Sequence, residues 1–214
     1  IRRIDRDEAR KMPGVVAIVT GPELAQICTP FVGVLTHLKG LKSAPQHAIA
    51  MDVATWQGEA VAAILATTRA QAEDAAEHVV VDWEELEPVT DMRTALDPAT
   101  PVIHAGLGDN LAWERTFDTG ATDAAFASAD TVAEAEFVFG RHTGVTLEPR
   151  AVLADWRPGE DRLTVYQATQ APHMIQNILA LHLGLEEQQV RVVTKDVGGS
   201  FGIKVHVYPD EMAV

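Results

Sequence analysis

Thr194-Lys195-Asp196-Val197-Gly198-Gly199-Ser200-Phe201-Gly202-Ile203-Lys204-Val205-His206-Val207-Tyr208 puts three glycines into the five consecutive positions 198–202. A residue without a Cβ tolerates positive φ and leaves its N–H uncovered, so such a loop turns sharply and brings backbone donors close to a ligand. Val190-Arg191-Val192-Val193 before it is a β-branched, strand-like run, and Pro209-Asp210-Glu211 after it has the form of a first helical turn. The order of strand, glycine loop and nascent helix belongs to a mixed α/β unit. By motif alone the loop is either a phosphate-binding turn or simply a tight turn. It is no P-loop, because G-x-x-x-x-G-K-[ST] is absent and Lys204 is followed by Val205, and it is no G-x-G-x-x-G dinucleotide fingerprint.

Outward from the loop, residues 172–183 read as an apolar helix started by Pro172 and ended by Gly184. Residues 151–156 and 163–168 flank Arg157-Pro158-Gly159-Glu160 as a hairpin, and 131–139 is strand-like. Between 91 and 130 the residues Pro98, Pro101, Gly106, Gly108 and Gly120 interrupt any period, as in a linker that crosses a surface. Earlier in the chain, 1–4 is strand-like, 5–13 reads as a short polar helix ended by Pro13-Gly14, and 15–19 is a strand. Thr20-Gly21-Pro22-Glu23 opens a small helix, and 29–52 reads as loops and short strands. Residues 59–66 read as a buried strand. Thr68-Arg69-Ala70-Gln71 has the form of a capping box, Ala72, Ala75, Ala76 and Val79 follow at helical spacing, and 79–83 returns as a strand. The fold class is therefore α/β (α+β), with expected domains at 1–97 and 131–214 and a linker at 98–130.

With 214 residues, 47% hydrophobic and 22% charged, the chain has the composition of a globular protein with a real core. Its formal charge of −14, from 17 basic and 31 acidic residues, argues against a nucleic-acid partner. No apolar run approaches the roughly 18 residues of a membrane helix, so no membrane span is expected. The single Cys28 excludes a disulfide framework, a Cys-rich zinc site and an iron–sulfur cluster held by these residues alone. The start at Ile1 and the stop at Met212-Ala213-Val214, just as a helix begins, point to an internal piece of a longer protein.

Phe139-Gly140-Arg141-His142-Thr143-Gly144-Val145-Thr146-Leu147-Glu148-Pro149-Arg150, Thr169-Gln170-Ala171-Pro172-His173 and the 196–208 stretch together resemble the molybdenum-binding large subunit of the xanthine dehydrogenase, aldehyde oxidase and carbon monoxide dehydrogenase family. The spacing of 198 − 170 = 28 positions from Gln170 to Gly198 is similar to that family's distance between its cofactor glutamine and its glycine loop. Pro13-Gly14-Val15-Val16-Ala17, Gly58-Glu59-Ala60-Val61-Ala62 and residues 72–83 resemble the α/β-hammerhead domain that precedes the molybdenum domain. The resemblance thus implies a hammerhead domain at 1–97 followed by the first part of a molybdopterin-binding domain, truncated at Val214. It also implies that the whole enzyme hydroxylates an aldehyde or N-heterocyclic carbon with oxygen from water, or oxidises a small carbonyl-type substrate.

The same resemblance makes Gln170 the side chain that hydrogen-bonds at the molybdenum centre. It has Phe201 and Gly202 offering backbone N–H groups to the cofactor, with Gly198, Gly199 and Ser200 shaping the loop. A neutral amide that both donates and accepts suits that task without competing as a metal ligand. No catalytic residue and no metal ligand falls within these residues, because the family's general-base glutamate lies further downstream. The implied cofactor is molybdopterin with molybdenum, as the cytosine dinucleotide from the bacterial character of the match. The implied partners are a [2Fe-2S] small subunit and an FAD-binding medium subunit in a hetero-oligomer, in the cytoplasm, with the periplasm as the alternative.

One departure is Val205, where purine-oxidising members carry glutamate after the lysine; it argues against xanthine as substrate. Glu148-Pro149-Arg150 reads as a salt-bridge or turn element, not an acid/base pair. His142, His173 and His206 share no helical face and read as ordinary histidines, and Glu186-Glu187 as a solvated turn. Two readings stay open beside the enzyme: a non-catalytic assembly module, and a nucleotide-binding α/β protein that uses the 198–202 loop.

Overall fold

The computed structural model describes residues 1–31, 35 and 37–214. Strand β1 (Arg3–Asp5) pairs antiparallel with β4 (Val80–Asp82), with Ile4 opposite Val81. Strand β2 (Val15–Thr20) pairs antiparallel with β3 (Ala62–Ala66), and a bulge lies between Val15 and Ala17. Helix α2 (Arg69–Ala76) connects β3 to β4 and buries Ala75, whose methyl is small enough for close packing. Thr68 caps it by accepting the Gln71 N–H at 3.3 Å. The box is half made, since the Gln71 side chain meets the Thr68 hydroxyl and not its backbone N–H.

After β2 the short helix α1 (Gly21–Leu24) is held at its start by Glu23, which accepts from Thr20 N–H at 2.8 Å and takes both Arg6 guanidinium nitrogens. The Arg6 bonds hold the Glu23 carboxyl at about 2, far below its ordinary range.

The second sheet has the order β5–β6–β7. β5 (Val152–Arg157) and β6 (Arg162–Gln167) form the expected hairpin, and β7 (Val190–Val193) lies parallel to β6. A parallel neighbour needs a crossover, and α4 (Pro172–Leu183) supplies it. Pro172 begins the helix, and Gly184, at φ 67°, ends it in the left-handed region, where a Cβ would be strained. Along β6, Leu163, Val165 and Gln167 alternate onto the buried face, and Ile175, Ile178 and Leu179 of α4 pack over it with Val190. Each apolar side chain fully buried in this way contributes about 1.5–3 kcal/mol. Helix α5 (Pro209–Ala213) adds Met212 to the same core. Cys28 lies there too, with Leu24, Phe31 and Ala48 packed beside it, so loops from the first part of the chain close the core of the second.

Four expectations are corrected. Residues 131–139 form no strand; they are exposed, Phe137 to 90%, and among the described residues no backbone hydrogen bond joins them to another segment, without which a strand-like composition makes no strand. The strand expected over 59–66 covers only Ala62–Ala66 and is partly exposed, because only one sheet neighbour flanks it. The polar helix over 5–13 is a single 3₁₀ turn, Ala9–Lys11, cut short before Pro13-Gly14. The 98–130 segment carries a helix, α3 (Thr122–Ser128), whose three alanines have high helix propensity. The loops and short strands expected over 29–52 fall partly on residues 32–34 and 36, outside the described residues. Elsewhere in that stretch a lone bridge joins Phe31 and Gln46. Among the described residues no helix is long and apolar enough to cross a membrane.

Candidate functional site

Parallel strands β6 and β7 end side by side, and the chain segments that leave their carboxyl ends, 168–171 and 194–203, meet above the sheet. Sites in α/β sheets form at such ends because the loops there converge on a rigid floor. Four hydrogen bonds fix this meeting. Thr169, buried, donates its hydroxyl to the Lys204 carbonyl at 2.9 Å and receives the Ala171 N–H at 3.1 Å. The Gln170 N–H donates to the same Lys204 carbonyl at 3.1 Å. The Thr194 hydroxyl donates to the Thr169 carbonyl at 3.2 Å.

The glycine loop holds three residues at positive φ. Gly199, Phe201 and Gly202 have φ of 94°, 48° and 85°. Positive φ at a bulky residue such as Phe201 costs on the order of 1–3 kcal/mol and persists only where neighbours over-determine it. Here the Ile203 N–H closes the turn on the Ser200 carbonyl at 2.9 Å. Among the described residues, the N–H groups of Phe201 and Gly202 donate to no protein acceptor, and the Gln170 side-chain amide makes no protein hydrogen bond. Phe201 is 74% exposed.

A third segment, 144–148, lies along the loop. A Cβ on Gly198 would sit 2.5 Å from the Glu148 Cβ, so only glycine allows that approach. Glu148 Oε2 accepts the Gly198 N–H at 2.8 Å and the Lys204 ammonium at 2.7 Å. These donors hold the Glu148 carboxyl below its ordinary range, the Lys204 bond foremost. Two residues on, Arg150 stacks over the Tyr208 ring at 3.9 Å and bonds Glu211 at 2.9 Å and Asp210 at 3.0 Å. Glu148 and Arg150 thus clamp the two ends of the 198–211 stretch, which agrees with reading Glu148-Pro149-Arg150 as a salt-bridge element.

The structure therefore brings together Gln170, through its backbone, and Gly198, Gly199, Ser200, Phe201 and Gly202. Lys204 and Glu148 join them without having been singled out as site residues. Their signal was present: Lys204 is a lone charge between Ile203 and Val205, and a cation in an apolar run calls for a counter-ion. The histidines do not join. His142 stacks on Phe139 at 5.0 Å, His206 on Tyr208 at 6.4 Å, and His173 is exposed on α4. Among the described residues no group of three or more His, Cys, Asp or Glu side chains is placed to hold a metal ion. A cavity of about 460 Å³ opens elsewhere, between Gln46, His47, Asp52, Glu59 and His104, and none of its lining belongs to the loop or to the Gln170 corner.

Residues 103–214 match the family model of the molybdopterin cofactor-binding domain, and residues 1–87 match that of the aldehyde oxidase and xanthine dehydrogenase a/b hammerhead domain. The nicotine 6-hydroxylase large subunit of Paenarthrobacter nicotinovorans is 36% identical over 99% of this chain and 26% of its own length. The carbon monoxide dehydrogenase large chain of Hydrogenophaga pseudoflava is 31% identical over 98% of this chain and 27% of its own. Among solved structures, quinoline 2-oxidoreductase from Pseudomonas putida 86 superposes with a TM-score of 0.90 at 30% identity, over 99% of this chain and 27% of that one. The chain thus spans about a quarter of the length of the curated relatives it matches.

Proposed function

Because this chain belongs to the aldehyde oxidase and xanthine dehydrogenase family of molybdopterin-binding proteins, we propose that Gln170 and the 198–202 loop form one wall of the cofactor site in a molybdenum hydroxylase large subunit. The observation that carries this reading is the set of unpaired donors: two adjacent backbone N–H groups, Phe201 and Gly202, in a strained loop beside a glutamine whose side chain is also free among the described residues. Solvent-facing donors without a protein partner, held in a strained turn, are open to a polar ligand supplied from outside the chain. When bound, the cofactor supplies two-electron oxidation chemistry with water as the oxygen source.

The chain's own part is binding and orientation. Phe201 and Gly202 would donate their N–H groups to the cofactor, and Gln170 would donate and accept through its amide. Gly198, Gly199 and Ser200 would keep side-chain bulk off that face. No residue here is assigned the proton transfer. The 1–97, 98–130 and 131–214 division is our proposed domain organisation.

The substrate class we propose is an aldehyde or N-heterocyclic carbon. The nicotine and quinoline in the relatives' names support the heterocycle, and Val205 after Lys204 argues against xanthine. The relatives named as a large subunit and a large chain support placing the iron–sulfur clusters on a separate small subunit and FAD on a medium subunit, with the cofactor as the cytosine dinucleotide and the assembly in the cytoplasm. The test is molybdenum and pterin analysis of the full-length protein purified with its partners. Stoichiometric molybdenum and pterin, with turnover of the cognate heterocycle lost in Gln170→Ala, is the expected result. Absence of both from an active wild-type enzyme would overturn the assignment.

A further inference from the structure

Lys204 is the node of three segments that are far apart in sequence. Its side chain is wholly shielded from solvent, while that of Glu148, its one hydrogen-bond partner among the described residues, is 38% exposed. A buried ammonium is costly unless a counter-ion holds it in good geometry. Replacing such a pair by apolar residues of like volume is often neutral or stabilising, so its presence is weak evidence for a stabilising role. Its geometry points to another role. Glu148 Oε2 takes both the Lys204 ammonium and the Gly198 N–H, so the ion pair anchors the first residue of the glycine loop. The Lys204 carbonyl takes the Gln170 N–H and the Thr169 hydroxyl, so the same residue anchors the glutamine corner.

We propose that the Glu148–Lys204 pair is a positioning device that sets the glycine loop and the Gln170 corner against each other, and so presents the Phe201 and Gly202 N–H groups and the Gln170 amide to one ligand. The proposal rests on the cofactor-site reading given above. Neither Lys204 nor Glu148 touches the cofactor in this scheme. Both act through the loop, as residues behind a ligand shell do when they fix the groups that make direct contact.

The test uses the full-length enzyme with its partner subunits, in wild-type form and as Lys204→Met, Glu148→Leu and the double variant. Three quantities are read: the melting temperature, the molybdenum and pterin bound per chain, and amide hydrogen exchange over 198–204, carried by the Gly198, Gly199 and Ile203 N–H groups that donate to protein acceptors. Glu148→Leu strands the buried Lys204 charge and lowers the melting temperature, whereas Lys204→Met leaves a half-exposed carboxylate that water can solvate and lowers it less. The double variant removes both charges and restores it. Cofactor content in the double variant still falls about fivefold or more, and exchange over 198–204 speeds about tenfold, shifts that correspond to roughly 1 kcal/mol or more of lost ordering.

A double variant that melts like wild type, keeps its cofactor content and leaves loop exchange unchanged would reduce the pair to packing and overturn the proposal. Should the double variant fail to accumulate, Glu148→Gln keeps an oxygen toward Gly198 and is read by the same exchange measurement: faster exchange supports positioning, unchanged exchange refutes it. Exchange is read without cofactor as well. Failure of the cofactor reading, seen as no pterin in wild type, is thereby told apart from failure of this one.

Discussion

Thr29 Oγ1 and the ring Nδ1 of His182 lie 2.9 Å apart across 153 positions of sequence, and the Thr29 N–H donates to the His182 carbonyl at 3.0 Å. The Phe31 ring meets the same imidazole edge-on at 5.8 Å. This joint seats the 24–31 segment on the last turn of α4, next to buried Cys28.

His182 gives the joint a pH dependence. Burial lowers its pKa from 6.5, so the folded chain favours the neutral ring and the unfolded chain takes up the proton first. Stability is flat above 6.5 on this account and declines as pH falls below it, down to the folded value. Urea midpoints should therefore drop between neutral pH and the slightly acid range, and the drop should shrink in His182→Asn. A second decline belongs to Glu23, whose folded value is about 2 against an ordinary 4.5: its contribution is intact above 4.5 and is lost as pH falls toward 2. An unchanged slope in His182→Asn would assign the first decline to other groups.

Gly198 and Gly202 are glycines for different reasons, and alanine at each separates them. At Gly198 the new Cβ would meet the Glu148 Cβ at 2.5 Å, too close to the backbone for a rotamer change to relieve. At Gly202 nothing lies within 4 Å and only the φ of 85° resists substitution, at a cost of about 1–2 kcal/mol. Gly198→Ala should lower the melting temperature more than Gly202→Ala and should speed exchange of the amide N–H at position 198, which donates to Glu148. Equal melting temperatures would mean that the 144–148 segment moves aside freely.

Cys28 sits in the core at 5% exposure, its thiol pushed up by burial and its Sγ 3.5 Å from the Thr29 carbonyl. A thiol reacts as the thiolate, so the native chain should react with a disulfide reagent about 100-fold more slowly than the urea-unfolded chain. Fast labelling in native buffer would show that the 24–31 segment opens away from α4.

Much of the architecture was legible because its signals are local. Pro172 and Gly184 bounded α4 correctly, and the small helix opened by Thr20-Gly21-Pro22-Glu23, the hairpin around Pro158-Gly159 and the strand at 190–193 were each read from neighbours within a few residues. The 131–139 stretch misled for the converse reason. A strand is completed by its partner, and the strand-like run that ends in Phe137-Val138-Phe139 names none. Likewise nothing local told that Cys28 would pack with Leu163 and Met212.

For the site, the amino-acid sequence by itself determined the turn, since Gly199 and Gly202 permit positive φ at two of its three such positions, and it determined the family, through motifs spaced along one chain. Tertiary structure alone decided what holds the loop in place. Glu148 and Lys204 stand 56 positions apart. Neither side chain carries the other's address in its local pattern, because an ion pair is selected by desolvation and distance in the folded state, where burial of the lysine makes one particular carboxylate oxygen its necessary neighbour.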